Sequence, residues 1–400
     1  MISKWTQKLL GVLVLCIFMT NPAFAEITIS TDEITIETAK VSSGKWTLPY
    51  VTAHSAILMD AQTGDVLYER DAHKQRPNAS TTKILTAILA LELASQDEVV
   101  TVSEKADKVG ESSLHLNKDD KLKLGELIEG ALVKSGNDAC VAIAEQTAGS
   151  LDNFIRLMNL KAVSLGACNT HFTNPHGLPD KNHYSTAYDL AMIARYGLSI
   201  PEFSNIVQRK VATVNYEHPQ KNQVVNNTNK LLYNYPLADG VKTGTTNAAG
   251  KCLIASASKN GRQLICVVLN APDRFGDAQR LLEWGFNSTK IINMGKKGDL
   301  VTFHPSYQEN LSVALGQDVI LCIEIAKINE IRLQVEFIKG VYPPINRGEI
   351  LGSYNIYVAD KLIKEVPLVA GEDSIGNPLD FSGTLNLFLD KALDIIGIKG

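Results

Sequence analysis

Ser80-Thr81-Thr82-Lys83 places a hydroxyl and an amine three residues apart. On a helix both would lie on one face, with the amine in reach of the hydroxyl. A serine is a weak nucleophile without a base beside it, and a lysine serves as base only when burial or a nearby cation lowers its pKa. The same spacing recurs at Ser42 to Lys45 and Ser256 to Lys259, so spacing alone does not select Ser80. Its setting does. Ser80 opens an apolar-periodic run in an N-cap-like position, where free N–H groups and the positive end of the helix dipole are at hand.

Ser135-Gly136-Asn137 is a second element, a bend whose hydroxyl can relay a proton and whose amide can hold a substrate amide. Lys242-Thr243-Gly244, followed by Thr245 and Thr246, is a third. Gly244 allows close approach of a substrate backbone, Thr243 and Lys242 offer a donor and a charge to a carboxylate, and Lys242 is a candidate for the cation beside Lys83. Singly, each reads as a cap or an ordinary strand. In this order, at separations of 55 and 107 residues, they describe acyl transfer through a serine, with no metal or organic cofactor implied.

These residues need elements to hold them. Ala56 to Met59, Gln62-Thr63-Gly64 and Val66 to Tyr68 read as a hairpin. Ile84, Leu85, Ile88, Leu89, Leu91 and Leu93 follow Thr81 with helical period. Leu124 to Val133 and Asp138 to Ala148 are two helices meeting at the Ser135 bend, and Leu151 to Leu165 and Ala187 to Tyr196 are two more, divided by the loop Asn174 to Gly177. Asp239 to Gly244, Lys251 to Ala257 and Arg262 to Asn270 are β-rich, the last two joined by Asn260-Gly261, and Asp277 to Phe286 returns to helix. After Asn287 strand-like runs dominate through Val366.

The expected organisation is a signal peptide at 1–25, an extended leader at 26–48, a catalytic domain at 49–288, a β-rich domain at 289–375 and a tail helix at 383–400. Lys4 and Lys8 precede an apolar run from Leu9 to Met19, and Ala23-Phe24-Ala25 supplies a cleavage pattern. That run is too short to span a bilayer, which needs about 20 residues. In the tail, Leu385, Phe388, Leu389, Ala392, Leu393 and Ile396 share one helical face, suited to the membrane interface or to docking on protein.

Composition removes other classes. The net charge of −4 gives no basic footprint for nucleic acid. Six cysteines become five once Cys16 leaves with the signal, an odd number that argues for buried thiols, although Cys252 and Cys266 lie on neighbouring strands and can pair. His171, His176 and His183 sit within 13 residues, and read as polar loop residues more readily than as metal ligands.

Arg76-Pro77-Asn78-Ala79-Ser80-Thr81-Thr82-Lys83, Ser135-Gly136-Asn137-Asp138-Ala139 and Asp239-Gly240-Val241-Lys242-Thr243-Gly244 together resemble the serine-type D-alanyl-D-alanine carboxypeptidases, the low-molecular-weight penicillin-binding proteins. The likeness continues through Asn174-Pro175-His176-Gly177-Leu178, Tyr184 to Asp189 and Leu282 to Phe286, and into Gly348 to Gly352.

The resemblance implies an α/β (α+β) fold: an antiparallel sheet flanked by helices, a helical lobe, and a C-terminal β-sandwich. It implies Ser80 as nucleophile, Lys83 as base and Ser135 as proton relay. Asn137, Lys242, Thr243, Gly244 and Thr245 would bind substrate. Arg274 is a further candidate for the carboxylate, with an ion pair to Asp273 or Asp277 as its alternative. The implied partners are the peptidoglycan stem peptide and β-lactam antibiotics, outside the cytoplasmic membrane, with peripheral membrane contact through the tail. Rival readings are a D,D-endopeptidase, a class A-like β-lactamase and an inactive penicillin-binding scaffold. The stretch Asn174 to Asp189 carries no Glu to activate a deacylating water, which argues against the β-lactamase.

Overall fold

β1 (Ser55–Asp60) and β2 (Val66–Arg70) form the expected hairpin, and a 3-10 turn, Ala79–Thr82, leads into α1 (Lys83–Leu93). There follow β3 (Val99–Thr101), α2 (Glu104–Asp107), β4 (Lys121–Lys123) and α3 (Leu124–Glu129). A π-helical turn, Gly130–Lys134, precedes α4 (Asn137–Ala148), and α5 (Leu151–Ser164), α6 (Ala187–Leu198) and α7 (Pro201–Val207) complete the helical lobe. Next come β5 (Val211–His218), β6 (Lys221–Asn226), α8 (Leu231–Asn234), β7 (Ala238–Thr246), β8 (Gly250–Lys259), β9 (Arg262–Leu269) and α9 (Arg274–Ser288). This computed structural model describes residues 47–301, 303–304, 312–338, 344–374 and 384–385. The signal peptide and all but the end of the leader lie outside them.

The main sheet is antiparallel with order β2-β1-β9-β8-β7. Side chains alternate across it. Leu58, Leu253, Ala255, Leu264 and Val268 pack against Leu281, Leu282 and Trp284 of α9. Ile57, Met59, Ile254, Ile265 and Val267 face the helical lobe, with Ile84, Ile88 and Phe203 in the same core. Covered on both faces, β1 carries the apolar run Ala56 to Met59, β8 the run Cys252 to Ala255 and β9 the run Leu264 to Leu269, which is why they read as β-rich. The same alternation puts Cys252 in the lobe-side core and Cys266 in the α9-side core. Their thiols point to opposite faces, so the pairing that sequence left open does not form, and both are free.

Three local features depart from expectation. Ser80 is not an N-cap but the second residue of the 3-10 turn, and Thr82 directly precedes α1. The helix expected over Leu124 to Val133 changes to a π-helical turn at Gly130, where a β-carbon would stand 2.2 Å from Leu114 Cδ1. Between α7 and β7, a hairpin of β5 and β6 joins β3 and β4 in a second sheet of order β3-β4-β5-β6. Its alternation of buried Ala212, Val214 and Tyr216 is a strand signal that the motif-centred reading passed over.

The chain divides into two compact units. Strands Thr289–Gly295 and Val319–Glu324, which composition grouped with the β-rich region, pair with each other and cluster with the unit that holds 47–296. The other unit contains a five-stranded sheet in the order Leu300–Val301, Val313–Leu315, Lys361–Ala370, Ile350–Val358, Ile331–Phe337. Leu385, assigned by its period to the tail helix, is instead paired as a strand: Thr384–Leu385 lies antiparallel to Phe303–His304. The rest of that tail lies outside the described residues.

Candidate active site

The turn carrying Ser80 is fastened from within. Ala79 takes a positive φ of 50°, and the buried Asn78 amide donates to the Thr81 and Thr82 hydroxyls at 3.1 and 2.9 Å. One turn on, Lys83 is fully buried, a costly place for an amine unless every N–H finds an acceptor. All three do. Nζ donates to Ser80 Oγ and Asn137 Oδ1, each at 2.7 Å, and to the His176 carbonyl at 2.9 Å. Burial lowers its pKa to about 8, against the opposing pull of Cys140 and Asp138. Of the two causes the sequence left open, burial and a neighbouring cation, burial is the one that lowers it.

Ser135 ends the π-helical turn in the left-handed region, φ 74° and ψ 32°, and is 6% exposed. Gly136 is the N-cap of α4, which makes Asn137 its first residue. The Asn137 amide is engaged at both ends, since Nδ2 also donates to the Gly110 carbonyl at 2.9 Å. Asp138, buried beside it, accepts from the Leu114 and Leu116 N–H groups and from the Ser113 hydroxyl, holding 113–116 against α4.

β7 supplies the third wall. Lys242 is 1% exposed and donates to the Thr243 carbonyl at 3.2 Å. Burial, followed by the neighbouring Lys83, holds its pKa well below the usual lysine range. The Thr243 hydroxyl lies 2.6 Å from that of Thr228. A β-carbon on Gly244 would meet the Asn78 carbonyl oxygen and the Ser80 nitrogen at 2.9 Å, so only glycine lets β7 lie this close to the Ser80 turn. Arg274 makes neither of the ion pairs its sequence neighbours suggested. Asp273 and Asp277 pair with Arg280, while Arg274 Nη1 reaches the Gly244 carbonyl at 2.9 Å and Thr245 Oγ1 at 2.8 Å.

The structure thus joins Ser80, Lys83 and Asn137 by direct hydrogen bonds and sets Gly244 against the Ser80 turn. Arg274 is bonded to the end of β7. A hydroxyl bonded to a buried amine of pKa about 8 has the arrangement that nucleophile and base need. The cations and hydroxyls along β7 can receive an anion. Sequence reasoning missed the roles of the His176 carbonyl, Thr228 and Asp138. The Asp following Ser-x-Asn was visible; nothing marked a main-chain oxygen or a threonine 14 residues before Lys242.

The histidines do not converge. His183 bridges Thr82 Oγ1 at 2.8 Å and the Thr173 N–H at 3.1 Å, and His171 meets the Asn182 carbonyl. Burial lowers the His176 pKa to about 3 and that of His183 to about 4.

An antiparallel sheet between helices, with a Ser-x-x-Lys turn facing its edge strand, defines a serine peptidase of the penicillin-binding class. The family model described as D-alanyl-D-alanine carboxypeptidase, Peptidase S11, matches residues 42–273, and that of the penicillin-binding protein 5 C-terminal domain matches residues 286–374. The D-alanyl-D-alanine carboxypeptidase DacD of Escherichia coli is 34% identical over 86% of this chain and 92% of its own length. DacF of Bacillus subtilis is 32% identical over 80% of this chain and 85% of its own. Penicillin-binding protein 5 of Haemophilus influenzae superposes with a TM-score of 0.73 at 29% identity, covering 82% of this chain and 99% of its own. The chain belongs to the S11 family of serine-type D-alanyl-D-alanine carboxypeptidases. It has that family's transpeptidase-like domain and C-terminal β-domain.

Proposed function

We propose that this carboxypeptidase removes the terminal D-alanine of peptidoglycan stem pentapeptides through an acyl-enzyme on Ser80. One observation carries the reading: the Lys83 amine, lowered to about 8 by burial, stands 2.7 Å from the Ser80 hydroxyl. Lys83 takes the hydroxyl proton as Oγ bonds to the carbonyl carbon between the last two D-alanines. The oxyanion is received by the Ser80 and Thr245 N–H groups, an arrangement that elsewhere contributes about 10²–10³ in rate. The C–N bond breaks, and the proton held by Lys83 passes through the Ser135 hydroxyl to the departing amine, which leaves as D-alanine. Thr243, Thr245, Lys242 and Arg274 receive the terminal carboxylate. Asn137 orients Lys83 through its Oδ1 as well as facing substrate. Water then hydrolyses the ester. Penicillin, which mimics an acyl-D-alanyl-D-alanine end, acylates the same serine and leaves slowly.

Lys4, Lys8 and the following apolar run support export to the outer face of the cytoplasmic membrane. The apolar face beyond Leu385 is the support for peripheral membrane contact.

D-alanine release from a diacyl-Lys-D-Ala-D-Ala peptide, with and without prior penicillin, tests the mechanism. Release should be abolished by penicillin and by Ser80→Ala. A Ser80→Ala protein that releases D-alanine at the parent rate would sink it.

A further inference from the structure

One of the three acceptors of the Lys83 amine, the His176 carbonyl, belongs to the main chain, so its position is set by whatever holds the loop. The loop lies along the Ser80 turn and the start of α1 in the reverse direction. Gly177 abuts Ala79, the His176 carbonyl meets Lys83, and the Pro175 carbonyl meets the Thr86 hydroxyl at 2.6 Å. Thr86 is fully buried and stands three residues beyond Lys83, on the same face of α1.

Two successive peptide planes are clamped here. Both are trans, so the N–H and C=O of each point to opposite sides. In the Pro175–His176 plane the carbonyl accepts from Thr86 Oγ1, and the N–H donates to Asn174 Oδ1 at 3.3 Å. In the His176–Gly177 plane the carbonyl accepts from Lys83 Nζ at 2.9 Å, and the N–H donates to the same Asn174 oxygen at 2.7 Å. Asn174 thus holds one edge of both planes and α1 holds the other. Without the Thr86 hydroxyl, the first plane is fixed on one side only and can turn about the Asn174 oxygen. A single α-carbon joins it to the second plane, so the His176 carbonyl turns with it, away from the amine.

We propose that Thr86 is a positioning residue for the general base: its bond to the Pro175 carbonyl keeps the adjacent His176 carbonyl on the Lys83 amine. The inference rests on the reading of Lys83 as the base for Ser80, and adds the side chain that orients it. As Lys83 takes the serine proton it becomes an ammonium, and a carbonyl acceptor favours that charged form. Loss of the acceptor therefore makes the amine less basic. The titratable groups facing it are Cys140 and Asp138 of α4, Lys242 of β7 and the His176 ring. All four are common to the parent and the variants below, so a difference between their profiles reports the loop.

The test is the pH profile of penicillin acylation in the whole protein, for the parent, Thr86→Val and Thr86→Ser. Valine keeps the shape of the side chain and removes the hydroxyl. The midpoint of the Thr86→Val profile should fall by about one pH unit and its plateau rate by about fivefold, the scale of one hydrogen bond to a charged group. Thr86→Ser should restore both. A general loosening of the core would lower the unfolding temperature and leave the acylation midpoint in place. Should the valine variant fail to fold, Thr86→Ala removes the same hydroxyl and should show the same downward shift. A parent-like midpoint in the folded valine or alanine protein, or a shift that serine does not restore, would overturn the role of Thr86 alone. A flat profile in the parent would overturn Lys83 as the base, and the role of Thr86 with it.

Discussion

A β-carbon on Gly177 would stand 1.9 Å from the Ala79 carbonyl oxygen, so the Asn174 to Gly177 loop rests directly on the residue before Ser80. Gly177 also has a φ of 89°, which disfavours any side chain. The same loop presents the His176 carbonyl to Lys83. Gly177→Ala must therefore push apart the two segments that flank the amine. The expected cost is about 2–4 kcal/mol in denaturant unfolding, with penicillin acylation slowed in the fraction that folds. Unchanged stability and acylation would show that the loop yields freely.

Burial favours the neutral form of an amine, so the Lys83 pKa falls to about 8. A base works only when deprotonated. The penicillin acylation rate should then rise about tenfold per pH unit below that value and level off above it. Lys83→Met should lower the rate by about 10²–10⁴ on the plateau above that value and remove the rise below it, so the two rates converge as the pH falls. A flat profile between pH 6 and 9 in the parent enzyme would exclude Lys83 as the base.

The Thr228 hydroxyl lies 2.6 Å from that of Thr243, and its N–H donates to the Val133 carbonyl at 3.3 Å. Thr228→Val removes that partner and frees the Thr243 hydroxyl to rotate away from an arriving carboxylate. KM for the peptide should rise about fivefold, the equivalent of one hydrogen bond, with kcat changed less. Thr228→Ser should restore the parent value, a rescue that a purely steric role would not give.

Asp138 is 1% exposed, and its carboxylate accepts from the N–H groups of Leu114, Leu116 and Ala139. Asp138→Ala leaves these donors without their partner, at about 1–3 kcal/mol for each that stays buried. Stability should fall by about 3–5 kcal/mol, and by less for Asp138→Asn, which keeps one acceptor. A loss below 1 kcal/mol for the alanine variant would mean that water or backbone replaces the carboxylate.

Much of the fold was legible because its signals are local. The β1–β2 hairpin, the helices after Thr81 and Ser150, and the Asn260-Gly261 turn follow from side-chain period and turn chemistry, which neighbouring residues determine. Ser80, Lys83 and Asn137 were nameable for the same reason, since their spacing and order survive in the chain without its folding. The β5–β6 hairpin is equally local in its alternation, but Pro219-Gln220 between its strands is not the Asn-Gly type of turn that marks a hairpin in sequence.

The remainder depends on segments far apart in the chain. Residue order is enough to name the groups that can react: Ser80, Lys83, Ser135, Asn137, Lys242 and the glycine-bearing strand around Gly244. The tertiary structure decided their states. Lys83 loses basicity because α4 and the His176 loop bury it, 54 and 93 residues away. Arg274 turns from its neighbouring carboxylates to β7 because Arg280 already holds them. Cys252 and Cys266 stay apart because strand alternation sends them to opposite cores. Burial, main-chain acceptors and competition between charges are properties of the packed chain, and residue spacing does not carry them.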